Sequence, residues 1–247
     1  MAFGKSVSDR RRTGNDKYFK SISMIIVCAL ATMIYCNSVA VFASTPDAGD
    51  SSDQVTQTQA DVELEKHVTC GSTIKLTHAQ TKAKLHSHGI GYGSGSGQQS
   101  VTGFPESNDP GGYWQIFGTV AEPCERGDDI SDGQIIRLQH VNTRKWLHSH
   151  SAHRSPLTNN QEVSAHGDDA QSDAGDEWIF SADGAKVWMR DEKIRLQHRQ
   201  TNAWLSCSNT KFQRPISGQS EVCGTSRQDA NSIWKADQGV YFPKVEL

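Results

Sequence analysis

Three absences limit what this 247-residue chain can be. Beyond an apolar run from Ile22 to Tyr35, no stretch is apolar for the ~20 residues that a membrane-spanning helix needs. No Cys-x-x-Cys pair occurs, so neither a zinc ribbon nor a dithiol redox site is indicated. No phosphate-binding or nucleophile signature is complete either. The segment Gly91 to Gly97 is rich in glycine and serine, but it lacks the following Lys-Ser/Thr and satisfies neither G-x-G-x-x-G nor G-x-S-x-G. It reads as a surface loop, and the paired acids Asp128-Asp129 and Asp168-Asp169 read as solvated turns rather than a glycosidase pair. No catalytic residue, metal or cofactor is therefore expected.

What is present begins with an address. Lys5, Arg10, Arg11, Arg12, Lys17 and Lys20 precede the apolar run, and the run Val41-Phe-Ala43 supplies small residues on either side of Phe42 for cleavage, so residues 1–43 read as a signal peptide. An uncleaved anchor is the alternative. Losing this segment removes six of the 25 basic and two of the 28 acidic residues, leaving 19 against 26 and a formal net of −7. Such a balance argues against nucleic acid as a partner, because phosphate contacts need concentrated positive charge. Residues 44–66 are polar and read as a disordered lead-in. Lys244, Val245, Glu246 and Leu247 resemble the Lys-Asp-Glu-Leu retrieval signal of the endoplasmic reticulum, with Val245 in place of Asp.

Cys28 and Cys36 fall in the leader, which leaves Cys70, Cys124, Cys207 and Cys223, an even set suited to an oxidising lumen. Four cysteines allow three connectivities. Cys70 with Cys124, tying the first copy of the repeat described next to its own end, and Cys207 with Cys223, stapling a loop in the third, is the favoured one.

The strongest signal is a pattern written three times. His78, His140 and His198 each end an Ile-x-Leu-x-His run, each precedes a threonine by three residues and a leucine (Leu85, Leu147, Leu205) by seven, and each is followed 36 to 38 residues later by Trp114, Trp178 or Trp234. The alternation of Ile, Leu and His with polar residues marks strands with one buried face, and helical periodicity is absent. Units near 60 residues, spanning about 68–124, 130–187 and 188–243, each hold about four short strands. One unit cannot bury its own apolar face; three sharing a closed barrel can, so an all-β pseudo-threefold β-trefoil is predicted for residues 67–243.

The runs Leu85-His-Ser-His88 and Leu147-His-Ser-His150, together with Tyr92 to Gly103, Asn160 to Ser164, Arg214 to Gln219 and Cys124 to Gly127, resemble the stromal cell-derived factor 2 family over about residues 68–243. The third copy departs, with Leu205-Ser-Cys-Ser208. The resemblance implies three MIR motifs, like those of protein O-mannosyltransferases and intracellular calcium-release channels. It also implies a soluble, non-catalytic protein of the endoplasmic reticulum lumen in folding quality control, with unfolded secretory proteins, a lumenal J-domain co-chaperone and the lumenal Hsp70 system as partners. The alternative is a carbohydrate-binding module associated with O-mannosylation.

By strand parity, His78, His140 and His198 should be buried and hydrogen-bonded, and Trp114, Trp178 and Trp234 should pack the core. His86, His88, His148 and His150 have the opposite parity and are expected at the surface as binding candidates, with Ser206 and Ser208 in their place in the third copy. Trp146 and Trp204 are likewise expected to face outward, where an aromatic could meet a ligand.

Overall fold

The computed structural model of the chain describes residues 66–243. The expected signal peptide, almost all of the lead-in, and Lys244, Val245, Glu246 and Leu247 lie outside the described residues.

Each copy contributes four strands: β1 Thr73–His78, β2 Lys84–Gly91, β3 Gln99–Phe104 and β4 Trp114–Gly118; β5 Ile135–His140, β6 Trp146–Arg154, β7 Gln161–His166 and β8 Trp178–Ala182; β9 Ile194–His198, β10 Trp204–Lys211, β11 Ser220–Thr225 and β12 Trp234–Val240. The first and last strands of the copies pair in the cycle β1-β4-β5-β8-β9-β12 and back to β1, a closed six-stranded barrel. The hairpins β2-β3, β6-β7 and β10-β11 cap one end, with β3, β7 and β11 touching pairwise. Closure leaves no free edge in the barrel. This is the β-trefoil.

Position in the repeat dictates position in the core. Ile74 and Leu76, Ile136 and Leu138, and Ile194 and Leu196 fill the barrel, while Leu85, Leu147, Leu205, Val101, Val163 and Val222 fill the space under the cap. Val68, Ile130 and Trp188 are buried at the far end, where the backbone N–H of Val68 donates to the Trp188 carbonyl and that of Trp188 to the Ile130 carbonyl. The indoles of Trp114, Trp178 and Trp234 are fully buried and donate to the carbonyls of Leu85, Leu147 and Leu205 at 3.0, 2.8 and 2.9 Å, so the repeated tryptophan and leucine are hydrogen-bond partners as well as packing partners.

The repeated His-x-x-Thr is a turn. In each copy the histidine Nδ1 lies 2.8 Å from the threonine Oγ1, and the next residue, Lys82, Arg144 or Asn202, takes a left-handed φ of 60, 57 or 56°. Each histidine Nε2 meets a main-chain carbonyl of a short 3-10 turn: His140 that of Gly111, His198 that of Gly175 and His78 that of Asn231. Because a carbonyl only accepts, Nε2 carries the proton and Nδ1 takes the threonine hydroxyl as donor. Burial lowers the pKa of all three, to about 4 for His140.

Cys70 and Cys124 form a disulfide across a sequence separation of 54 residues. The expected Cys207–Cys223 bond is corrected: both thiols are free and buried. On the β10-β11 hairpin Cys207 stands opposite Val222 and Cys223 opposite Ser206, and directly opposed residues share a face. The two thiols therefore leave opposite faces. Cys207 occupies the place of Ser87 and Ser149, each of which accepts from a glutamine (Gln99, Gln161) that also donates to the next copy's threonine. In the third copy Cys207 itself contacts Thr81 at 3.8 Å. Burial pushes Cys207 and Cys223 up to about 11 and about 12, which makes both poor nucleophiles.

Candidate functional site

The second strand of each copy meets the 3-10 turn before the repeated tryptophan, and in the first and third copies a concavity lies at that junction. The turns Pro110–Gly112, Ala174–Asp176 and Ala230–Ser232 are each capped by an aspartate, Asp109, Asp173 or Asp229, which accepts a main-chain N–H two residues on. Each aspartate precedes its tryptophan by five residues. That spacing is present in the sequence, but strand periodicity does not extend into these loops and gives no reason to select the aspartates. Asp109 holds His86, and the turn that Asp173 caps holds His148 through Asp176.

In the first copy, His86 is 4% exposed, its Nε2 is 3.1 Å from Asp109 Oδ1, and its Nδ1 is 3.3 Å from Thr102 Oγ1. The ring of Phe104 packs at 4.9 Å and that of His88 at 5.2 Å. Burial lowers the pKa of His86, with Asp109 opposing. His88 is half-buried and reaches Gln219 at 3.4 Å. Together these groups line a cavity of about 370 Å³.

The second copy is built differently. His148, also 4% exposed, turns Nδ1 toward Asp176 Oδ1 at 2.9 Å and Asp173 Oδ1 at 3.7 Å. His166 packs on it at 5.1 Å, and exposed His150 stacks at 6.5 Å. Among the described residues, His148, Asp173 and Asp176 form the group that could hold a metal ion, their ligand atoms lying within 4.8 Å of one another. Each already has a structural task, however: Asp173 and Asp176 make the reciprocal cap of the turn, and His148 Nδ1 is the buried hydrogen-bond partner of Asp176 Oδ1. In the third copy Ser206 Oγ turns to Thr225 Oγ1 at 2.9 Å, and Ser206, Ser208, Asp229 and Asn231 line a cavity of about 370 Å³ with no imidazole.

The surface expectation is therefore corrected for two of the four histidines. His86 and His148 point away from the apolar core, as parity requires, but the capping turn covers them. His88 lines the first-copy concavity, and His150 is exposed. Trp146 is corrected for the same reason: at 5% exposed it lies outside the core cluster but under the loop that follows β7, donating to the Asp168 carbonyl at 2.7 Å, with Arg137 4.4 Å over its ring and Phe117 edge-on at 5.4 Å. Trp204 is half-buried. Covering loops of this kind leave no periodic trace in the sequence.

A closed trefoil of three units, each with the His-Thr turn, the aspartate-capped turn and the indole-to-carbonyl bond, defines an MIR-type domain, and the model of the MIR domain family matches residues 95–236. A stromal cell-derived factor 2-like protein of Arabidopsis thaliana is 45% identical over 220 residues, covering 88% of this chain and 99% of that protein. Stromal cell-derived factor 2 of Mus musculus is 47% identical over 180 residues, 73% of this chain and 84% of its own length. The chain belongs to the stromal cell-derived factor 2 family. Among solved structures, the crystal structure of the SDF2-like protein from Arabidopsis thaliana superposes with a TM-score of 0.71 at 49% identity, covering 73% of this chain and 99% of that one. The Saccharomyces cerevisiae protein O-mannosyltransferase Pmt1-Pmt2 complex bound to the sugar donor matches with a TM-score of 0.64 at 28% identity, covering 71% of this chain and 26% of that one.

Proposed function

We propose that this protein is a non-catalytic binding module of the endoplasmic reticulum lumen, acting in folding quality control with a J-domain co-chaperone and, through it, the lumenal Hsp70. The observation that carries the reading is the concavity lined by His86 and His88 in the first copy, together with the matching His148-His150 pair beside the aspartate-capped turn of the second. In both copies a buried histidine fixed by an aspartate packs against a second, more exposed histidine, His88 or His150, so the recognition groups are pre-oriented and little side-chain freedom is lost on binding. The third-copy concavity, which has no imidazole, is an internal control. Family membership and the leader sequence support the compartment. Co-precipitation of the J-domain co-chaperone from lumenal extract tests the proposal: wild-type protein captures it, and a His88→Ser, His150→Ser variant captures markedly less. Equal capture by both would remove the histidine pairs from the interface.

A second reading, a carbohydrate-binding module associated with O-mannosylation, has one specific observation in its favour, a pocket of mixed polar and apolar lining beside Trp146.

A further inference from the structure

A cavity of about 540 Å³ lies beside Trp146 on the flank of the barrel, sharing Ala170 and Ser172 with the smaller cavity that His166, Asp173 and Asp176 line. Its floor is Gln139, which is 1% exposed. The amide Nε2 is fully used, donating to the Arg144 carbonyl at 3.0 Å and to Asp169 Oδ1 at 2.7 Å. The amide oxygen is buried and has no hydrogen-bond partner. Rotating the amide would only exchange the problem, since a nitrogen would lose Asp169. A buried acceptor without a donor is uncommon in a folded protein and points to something that supplies one.

The walls narrow the chemistry of the supplier. Arg137 is held by neutral oxygens, through Nε to the Gly118 carbonyl at 2.8 Å and Nη1 to Ser172 Oγ at 2.6 Å, and remains a source of N–H groups at the pocket. Asp169 pairs with Arg144 at 2.8 Å on the rim. Phe117, Val120 (73% exposed) and Ala170 make an apolar side. An anion brings no donor for the Gln139 oxygen and meets the Asp169 carboxylate. A cation meets two arginines. A small neutral ring that both donates and accepts along one edge and presents C–H groups on a face satisfies every wall, and the volume lies within the range of small-molecule sites. The pseudo-equivalent place in the first copy is filled from within, because Lys84 Nζ is 2.8 Å from Asp237 and Thr77 Oγ1 donates to the same carboxylate at 2.7 Å. In the third copy Ser181 stands where Phe117 does, which removes the aromatic side.

We infer that the pocket of Phe117, Arg137, Gln139, Trp146 and Asp169 binds a single neutral sugar ring through its hydroxyl groups. The inference rests on the second functional reading and assigns it a site. Purified protein is titrated with D-mannose, D-glucose, D-galactose and N-acetyl-D-glucosamine, with D-glucuronate as the anionic probe, and binding is read by saturation-transfer NMR; an O-mannosylated glycopeptide is titrated in parallel. Gln139→Leu removes the unpartnered oxygen, and Ala170→Trp fills the pocket from an exposed position that leaves the fold alone. The expected result is binding of at least one neutral sugar, weakened about tenfold or more in both variants, as loss of one hydrogen bond or of the cavity predicts. Binding that survives in Ala170→Trp overturns the site while leaving the carbohydrate reading standing. Binding of the glycopeptide with no neutral monosaccharide bound overturns the site in the same way. Preference for glucuronate overturns the neutral ligand, and failure of every probe, glycopeptide included, removes both the site and the reading.

Discussion

His78 Nε2 lies 2.9 Å from the carbonyl oxygen of Asn231, across 153 residues of sequence, and this bond closes the trefoil on itself. His140 with Gly111 and His198 with Gly175 make the same bond between successive copies, at 3.0 and 3.1 Å. The ring is cyclic: the first strand of each copy is held by the turn of the copy before it, and the first copy is held by the third. Each histidine also packs on the tryptophan of the copy before it in the ring, His78 on Trp234, His140 on Trp114 and His198 on Trp178, with ring centroids 5.0 to 5.1 Å apart.

Replacing His140 by alanine leaves the Gly111 carbonyl and the Thr143 hydroxyl without their buried partner. The expected cost is about 1–3 kcal/mol, read as a lowered urea midpoint with an unchanged slope. A variant that unfolds like wild type would show that water replaces the imidazole without loss.

The same histidines set an acid limit. Burial holds their folded pKa below the ordinary 6.5, to about 4 for His140, so the folded state binds fewer protons than the unfolded chain between those values. Stability is fully present above pH 6.5 and is lost as the pH falls toward about 4, below which His140 is protonated in both states and contributes no further change. Thermal melts at stepped pH should show this decline, and His140→Ala should show a shallower one. A slope unchanged by the substitution would assign the acid sensitivity to other groups.

The cysteines make a thiol count. Without the leader, the folded protein should react slowly with a thiol reagent and yield two thiols, Cys207 and Cys223, once unfolded under non-reducing conditions. Removing the Cys70–Cys124 bond by a double serine substitution should cost roughly 4 kcal/mol by the chain-entropy estimate for a loop of this length. Cys207→Ser, which restores the residue found at Ser87 and Ser149, should cost far less. Peptide mapping that recovers Cys207 joined to Cys223 would contradict the opposed faces of the hairpin.

The two classes of histidine beside the capped turns should separate by readout. His88→Ser and His150→Ser remove the more exposed imidazole of each pair and should change stability by no more than about 0.5 kcal/mol while weakening partner capture. His148→Ser leaves the buried Asp176 carboxylate without its imidazole hydrogen-bond partner and should destabilise by about 1–3 kcal/mol. A reversed pattern, with the first two substitutions melting early and His148→Ser inert, would mean that the wrong pair carries the structure.

If Lys244, Val245, Glu246 and Leu247 act as a retrieval signal, deleting them should send the protein to the culture medium. Equal secretion of the full-length and shortened chains would remove the signal.

Features that repeat locally are legible along the chain without any fold. The alternation in Ile74, Leu76 and His78 and its two copies specifies strands with a buried face, and the recurrence of Trp114, Trp178 and Trp234 specifies three equal units, because side-chain period and unit length are properties of the chain alone. The remaining features arise from contacts between residues far apart. Parity places His86, His148 and Trp146 off the apolar core, but only the folded chain brings the turns at Asp109 and Asp173 and the loop at Asp168 over them. Proximity in sequence suggests a bond between Cys207 and Cys223, and hairpin register, set by the pairing of β10 with β11, puts them on opposite faces. Burial of a polar side chain and the face it leaves from depend on which distant segment packs against it, and a one-dimensional pattern carries no record of that.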